Sequence, residues 1–375
     1  MLVYTNGPAV HTAATEAALS VWDVDEAIGV RMKPVGVAVV GAGYWGPNLV
    51  RNFAATESTE LRWVCDVSIE RARKVVGAQT SLRVTDDLAD VLADPEVEAV
   101  AIATPPSTHA RLAQECFEAG RHVLVEKPLA ERLEDGIAMV EAADDAGLTL
   151  MCDHTFCYTA SVRKIRDVIR SGELGDVLYF DSVRVNLGLI QKDVDVFWDL
   201  GPHDLSILDF VLPEGVVPTA IAAHAADPMD VGQACVGYMT LPLSNGGIAH
   251  AHLNWLSPTK IRTTIVGGSK RMLVWDDLRP GQRIHVYDSG VELREIDDEE
   301  RREYLVSYRS GDMVAPAIRE TEALRAVVDE FAAAIRERRR PLTDGRAGLR
   351  VLEALTAVQR SLADKGSMQP LGGRR

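Results

Sequence analysis

Val35-Gly36-Val37-Ala38-Val39-Val40-Gly41-Ala42-Gly43-Tyr44-Trp45-Gly46 is the stretch on which the fold turns. Its first six residues are apolar and mostly β-branched, as in a strand buried on both faces. Its last six form a G-x-G-x-x-G that runs into a helical pattern. An acid, Asp66, ends the next apolar run, residues 61–65. Each part has a physical task in holding a dinucleotide. Gly41 permits a tight turn, Gly43 lets backbone approach a pyrophosphate, and Gly46 lets helix and strand pack closely. Tyr44 and Trp45 share that turn. The helix N-terminus offers unpaired N–H groups and partial positive charge to phosphate. Asp66 can accept hydrogen bonds from both adenosine ribose hydroxyls and would repel a 2′-phosphate. The expected cofactor is therefore NAD rather than NADP, with Arg71 and Arg73 close by as opposing charges.

Outward from this stretch, short apolar runs (97–103, 121–125, 148–152) alternate with helical patterns (108–119, 131–146). Gly120 and Gly147 follow those helices as C-terminal glycines. This rhythm predicts an α/β Rossmann domain, a doubly wound parallel sheet, over residues 34–152. Beyond it the rhythm changes. Strand-like runs near 177–185, 233–241, 247–254, 261–266, 271–275 and 284–287 are divided by turn signals such as Ser244-Asn245-Gly246-Gly247. Residues 153–375 are expected to form a C-terminal α+β domain on a mostly antiparallel open sheet, for substrate binding and oligomerisation. Two final helices, near 318–337 and 347–362, are candidates to pack back on the Rossmann domain. Residues 1–33 read as an N-terminal extension with the character of a disordered segment and one marginal helix near 14–28.

Composition narrows the partners. The 375 residues are 47% hydrophobic and 25% charged, with a formal net charge of −15. That balance argues against nucleic acid or an anionic membrane as the partner. The absence of a long apolar run or a signal-peptide pattern makes a cytoplasmic location the expectation. Cys65, Cys116, Cys152, Cys157 and Cys235 are scattered and complete no zinc pattern. His250 and His252 share a strand face without a carboxylate or cysteine to make a set, so no metal is expected.

Ligands of open α/β sheets dock beyond the carboxyl ends of the strands. Thr104, Pro105 and His109 fall there, as do Glu126 and Lys127. Pro128 keeps Lys127 out of helical geometry. A lysine so held can reach the nicotinamide ribose and a reacting oxygen together. Asp199 and His203 are four apart, which on a helix places them one turn apart on one face, although Pro202 marks either a start or a kink. A histidine suits proton removal near neutrality, with a carboxylate beside it to orient the ring. Arg184 and Asn186 share one strand face; Lys260 and Arg262 share another, either to meet phosphate or as a solvated sheet edge. Val266, Met272, Val274 and Trp275 suggest surplus apolar surface on the second sheet, and hence a homodimer or homotetramer joined there.

Taken together, the fingerprint, Ala103-Thr104-Pro105-Pro106-Ser107-Thr108-His109, Glu126-Lys127-Pro128 and Trp198-Asp199-Leu200-Gly201-Pro202-His203-Asp204 resemble the glucose–fructose oxidoreductase / inositol dehydrogenase / MocA family. The resemblance runs from Val35 to the C-terminal helix. It implies an NAD-dependent oxidoreductase, with Lys127, Asp199 and His203 catalytic and with Arg184 and Asn186 facing the substrate. Within the family the chain is most similar to enzymes of nucleotide-linked sugars, such as UDP-N-acetylglucosaminuronate 3-dehydrogenases. Gly43–Leu49, residues 185–188 and residues 255–260 carry that likeness. Tyr158-Thr159-Ala160 departs from the Tyr-Asn-Pro of that branch, which bears on the substrate pocket. The expected reaction moves a hydride between a secondary hydroxyl, or ketone, of a sugar and the nicotinamide. A free cyclitol, inositol or sugar dehydrogenase is the alternative, and a non-catalytic NAD-binding regulator a third reading.

Overall fold

Residues 33–78, 81–188, 190, 194–295 and 304–372 are described by a computed structural model. The expected extension lies outside them, apart from Lys33. From Val35 the chain forms β1 (Val35–Val40), α1 (Gly46–Ala55), β2 (Thr59–Cys65), α2 (Ile69–Val76), β3 (Arg83–Thr85), α3 (Leu88–Ala93), β4 (Ala99–Ile102), α4 (Pro106–Glu118), β5 (His122–Glu126), α5 (Leu133–Ala146) and β6 (Leu150–Asp153). The strands pair in parallel in the order β3-β2-β1-β4-β5-β6. Every residue of β1 and β4 is buried, as strands covered by helices on both faces require. Gly120 and Gly147 take positive φ after α4 and α5. The sequence reading passed over β3 and α3, whose three and six residues are too short to show a period.

The remainder is α6 (Ala160–Arg170), β7 (Val177–Leu187), α7 (Val196–Val211), β8 (Ala220–Ala226), β9 (Val236–Pro242), β10 (Ile248–Asn254), β11 (Leu256–Gly268), β12 (Met272–Asp276), β13 (Ile284–Tyr287), β14 (Gly290–Glu295), β15 (Tyr304–Arg309), β16 (Met313–Val314), α8 (Ala323–Glu337), α9 (Gly345–Ala363) and β17 (Gln369–Pro370). One sheet runs β16-β13-β12-β11-β7-β10-β9-β8-β17. It is mixed rather than wholly antiparallel, because β7 and β10 pair in parallel at its centre. The strands β14 and β15 make a separate hairpin.

Alternation divides this sheet into two faces. Phe180, Ser182, Arg184, Leu253, Thr264, Val266 and Trp275 are buried on the face that α7 covers. Val266 and Trp275 therefore do not contribute the free apolar surface expected of them. Met272 and Val274 do lie on the other face, with Tyr238, Ile248, His250 and His252.

The helix α9 joins the two halves. Leu352 belongs to the core beneath the parallel sheet, whereas Val351 and Leu355 belong to the core that extends under the second sheet. Arg346 pairs with Asp144 on α5, and Arg350 with Asp209 on α7 at 2.7 Å. Gln359 donates to Asp195 Oδ2, and Asp195 Oδ1 caps the start of α7. Nearby, Arg336 of α8 pairs with Glu98 at 2.6 Å, beside the parallel sheet.

Candidate active site

At the end of β1 the chain turns at Gly41 with φ of 104°. A Cβ there would lie 2.5 Å from the Ala103 carbonyl oxygen, and one on Gly46 would lie 2.1 Å from the Gly41 carbonyl oxygen. The turn is thus closed against its own backbone, and only glycine fits. Its outer rim is open: a Cβ on Gly43 would meet nothing within 4 Å, and Tyr44 is exposed. A turn closed inward and open outward, ahead of a helix N-terminus, fits a dinucleotide pyrophosphate.

Asp66 lies beside this turn. Its Oδ2 accepts from Ala42 N at 2.7 Å, and its Oδ1 from Ser68 N at 2.8 Å and from Arg71 Nη2 at 2.7 Å. Burial pulls its pKa upward, but the two backbone donors and the guanidinium outweigh it and hold the carboxyl below its usual value. Arg71 thus pairs with the acid that it was expected to oppose.

Thr104 and Pro105 end β4, with Pro105 exposed and Thr104 Oγ1 bonded to Thr108 Oγ1 at 2.6 Å. His109, expected at the cofactor, lies beneath the loops at this end of the sheet. The residue is fully buried, with Nδ1 at 3.1 Å from the Pro128 carbonyl and Nε2 at 2.8 Å from that of Thr104. Each ring nitrogen faces a carbonyl, and the single N–H of the neutral ring bonds one of them, so His109 packs between the loop after β4 and the loop after β5.

At the end of β5, Lys127 precedes a cis peptide to Pro128. Lys127 Nζ donates to the Asp199 carbonyl oxygen at 3.1 Å. That carbonyl belongs to α7, which carries both Asp199 and His203 and continues through Pro202. The Asp199 carboxylate does not hold the His203 ring as expected. Its Oδ2 accepts from Trp255 Nε1 at 3.0 Å instead. Trp255 is buried between β10 and β11 and packs so tightly on Gly188 that a Cβ there would come within 2.6 Å of the indole. His203, half-buried, meets the Phe156 ring edge-on with centroids 4.9 Å apart. Burial and the charges of Lys127, Arg184 and Arg262 push its pKa well below the ordinary histidine value. The imidazole is therefore neutral, and available as a base, at neutral pH.

Arg184 was expected to face substrate. It is 4% exposed, and its Nε pairs with Asp204 Oδ2 at 2.6 Å, while Ser182 Oγ donates to Asp204 Oδ1. Its guanidinium lies over Phe156 at 4.6 Å, and only Nη1 lacks a partner. Asn186 is half-buried two residues further along β7.

Glu126, the residue before Lys127, is the Cα partner of Asp153 across β5 and β6. Burial and the Asp153 carboxyl beside it push its pKa well above the ordinary value. Burial raises Asp153 as well, against a 2.7 Å bond from Thr155 Oγ1. Two adjacent carboxyls in so little water favour sharing one proton.

Two family models match the chain. One, the oxidoreductase family NAD-binding Rossmann fold, covers residues 35–154, and the other, the oxidoreductase family C-terminal alpha/beta domain, covers residues 166–369. The chain belongs to the Gfo/Idh/MocA oxidoreductase family. It is an NAD-binding oxidoreductase with the fold, cofactor and class of activity that the sequence predicts. A UDP-N-acetylglucosamine 3-dehydrogenase from Acidithiobacillus ferrooxidans is 28% identical over 86% of this chain and 95% of its own length. A solved structure of that enzyme superposes with a TM-score of 0.73 at 26% identity, covering 89% of this chain and 99% of the other. An inositol 2-dehydrogenase from Mycolicibacterium vanbaalenii is 32% identical over 51% of this chain and 57% of its own. A levoglucosan dehydrogenase structure, at 19% identity and TM-score 0.75 over 91% of this chain and 100% of that one, shares the fold.

In this Gfo/Idh/MocA oxidoreductase sequence reasoning gave no role to Phe156, and it quoted Asp204 and Trp255 only within motifs, without their contacts to Arg184 and Asp199. None sits in a spacing pattern with its partner: Trp255 and Asp199 are 56 positions apart. Among the described residues no group of three or more His, Cys, Asp or Glu is placed to hold a metal, and no helix is long and apolar enough to cross a membrane.

Proposed function

We propose that this oxidoreductase oxidises a secondary hydroxyl of a nucleotide-linked sugar, with Lys127 and His203 at the reacting oxygen. The convergence of β5 and α7, fastened by the bond from Lys127 Nζ to the Asp199 carbonyl, carries this reading. Tyr44, Trp45, Gly41, Gly43, Gly46, Asp66, Thr104, Pro105 and Glu126 line the way for NAD. When bound, NAD accepts the hydride. His203 takes the hydroxyl proton as the hydride departs, and its neutral imidazole is ready to do so. The Lys127 ammonium stabilises the negative charge growing on the oxygen. Asp199, held by Trp255, sets the turn of α7 that presents His203.

The near full-length likeness to a UDP-N-acetylglucosamine 3-dehydrogenase supports a nucleotide-linked substrate. The shorter likeness to an inositol 2-dehydrogenase keeps a free cyclitol as the second reading. A panel of nucleotide sugars, free sugars and inositols, followed by NADH absorbance and mass spectrometry of the product, separates them. Turnover of inositol alone would replace the first reading with the second, and turnover of nothing would remove both.

We further infer that copies of the chain assemble through the uncovered face of the second sheet. Tyr238 and Ile248 are 45% and 48% exposed there, large apolar groups on a broad surface. Light scattering giving a multiple of 40.8 kDa supports this, and a single-chain mass removes it.

A further inference from the structure

Arg184 and Arg262 are direct Cα partners on the antiparallel strands β7 and β11. Like charges directly opposite each other destabilise a sheet unless something compensates them. Arg184 is compensated by the buried Asp204, through Nε at 2.6 Å and Nη2 at 3.3 Å. Arg262 is not matched in the same way. Its Nη1 reaches Asp277 Oδ2 at 3.4 Å, and the other oxygen of that carboxylate takes Arg283 at 3.3 Å. That carboxylate is thus shared by two guanidinium groups, of which Arg283 also pairs with Glu320 at 3.4 Å, whereas Arg262 has no second acid among the described ion pairs. The Arg262 side chain remains 31% exposed.

The position of this under-compensated charge is informative. The guanidinium of Arg262 lies 5.7 Å from the centre of the Phe156 ring, and His203 meets that same ring. The charged groups that depress His203 are the cations Lys127, Arg184 and Arg262. A chain with net charge −15 has therefore concentrated positive charge around its base. A cleft walled by protein focuses such a field and favours an anion within it. Arginine presents a planar fork that matches carboxylate or phosphate oxygens.

We propose that Arg262 determines specificity at this site by pairing with a negative charge that the substrate carries close to the oxidised carbon. The proposal rests on the sugar reading above. The anion is either a carboxylate on the sugar ring or the diphosphate of a linked nucleotide, and both present oxygens that fit the fork. Once paired, the substrate anion also offsets the cations around His203, which makes the imidazole a stronger base in the complex than in the free enzyme.

The test uses binding, so that it stands apart from turnover. Calorimetry on the full chain saturated with NADH compares D-glucose with D-glucuronate, and D-glucose with UDP-glucose. The wild type is expected to favour a charged member, and Arg262→Gln to shrink that preference about ten- to a hundred-fold, the scale of a charge-assisted hydrogen bond. Loss on the glucuronate pair assigns the ring carboxylate; loss on the UDP-glucose pair assigns the diphosphate. Arg262→Lys keeps the charge without the fork and should fall between the two, which covers the case of a poorly folded glutamine variant. Equal binding of charged and neutral members by the wild type, or a preference unchanged in both variants, overturns the proposal. An enzyme that binds these anions through Arg262 yet oxidises no sugar would sink the dehydrogenase reading alone.

Discussion

Asp66 and Glu126 end strands β2 and β5 of one parallel sheet, on its carboxyl edge, and the fold gives them opposite character. Asp66 is met by two backbone N–H groups and a guanidinium, and its carboxyl is held low. Glu126 is met by a second carboxyl from β6, and its carboxyl is held high. Burial works upward on both. What differs is whether the neighbours donate hydrogen bonds or compete for the same proton. The sheet edge thereby holds a fixed negative charge beside the glycine turn and a reluctant acid next to Lys127, the ends that the proposed function gives to adenosine and to the reaction.

This contrast can be broken most forcefully at the reacting end. His203→Ala and Lys127→Ala should each lower kcat by about two to four orders of magnitude while NAD affinity stays close to wild type. Cofactor titration by protein fluorescence alongside steady-state kinetics reads both; equal losses in NAD affinity would move these residues to the cofactor's account. Asp66→Asn should do the reverse. It should raise KM for NAD about ten-fold, by the loss of charge-assisted hydrogen bonds, and improve the relative use of NADP, with a much smaller change in kcat. Unaltered cofactor preference in that variant would detach Asp66 from the ribose.

How much of this was legible follows the same division. The adenosine end is local: Gly41, Gly43, Gly46 and Asp66 lie in one strand–turn–helix–strand unit, and their spacing states their task. The reacting end gathers residues from β5, α7, β7 and β11. The sequence yields Lys127, Asp199 and His203 as candidates, yet it does not reveal that the Asp199 carboxylate bonds to Trp255, or that Asp204 takes up Arg184. The surroundings of His109 were hidden for a similar reason. Its place after a strand end gives no sign that the first turn of α4 carries its ring beneath the loop.

Two smaller effects sharpen the comparison. The acid limb of kcat/KM for alcohol oxidation should lie below the ordinary histidine value of 6.5, because His203 is depressed by burial and by Lys127 and gains its proton only when the pH falls beneath that depressed value. A limb at or above 6.5 would mean that the free enzyme lacks this cationic surrounding. The smallest effect is expected from Glu126→Gln, which fixes the protonated form that the site already favours: kcat within about three-fold of wild type and little change in Tm. A large loss would show that the ionised form of Glu126 is needed, and the contrast with Asp66 would collapse.

The helix α9 touches both cores and braces the cap of α7, yet it lies late in the chain, at Gly345–Ala363. During synthesis the strands β1 to β16 emerge before it does, and only the edge strand β17 follows it. The α7 that brings the Asp199 carbonyl to Lys127 is thus braced, through Asp195, by a helix made long after both. The chain therefore delivers the glycine turn of β1 and α1 first and the brace of α7 nearly last, so the two ends of the molecule are separated in the order of synthesis as well as in space.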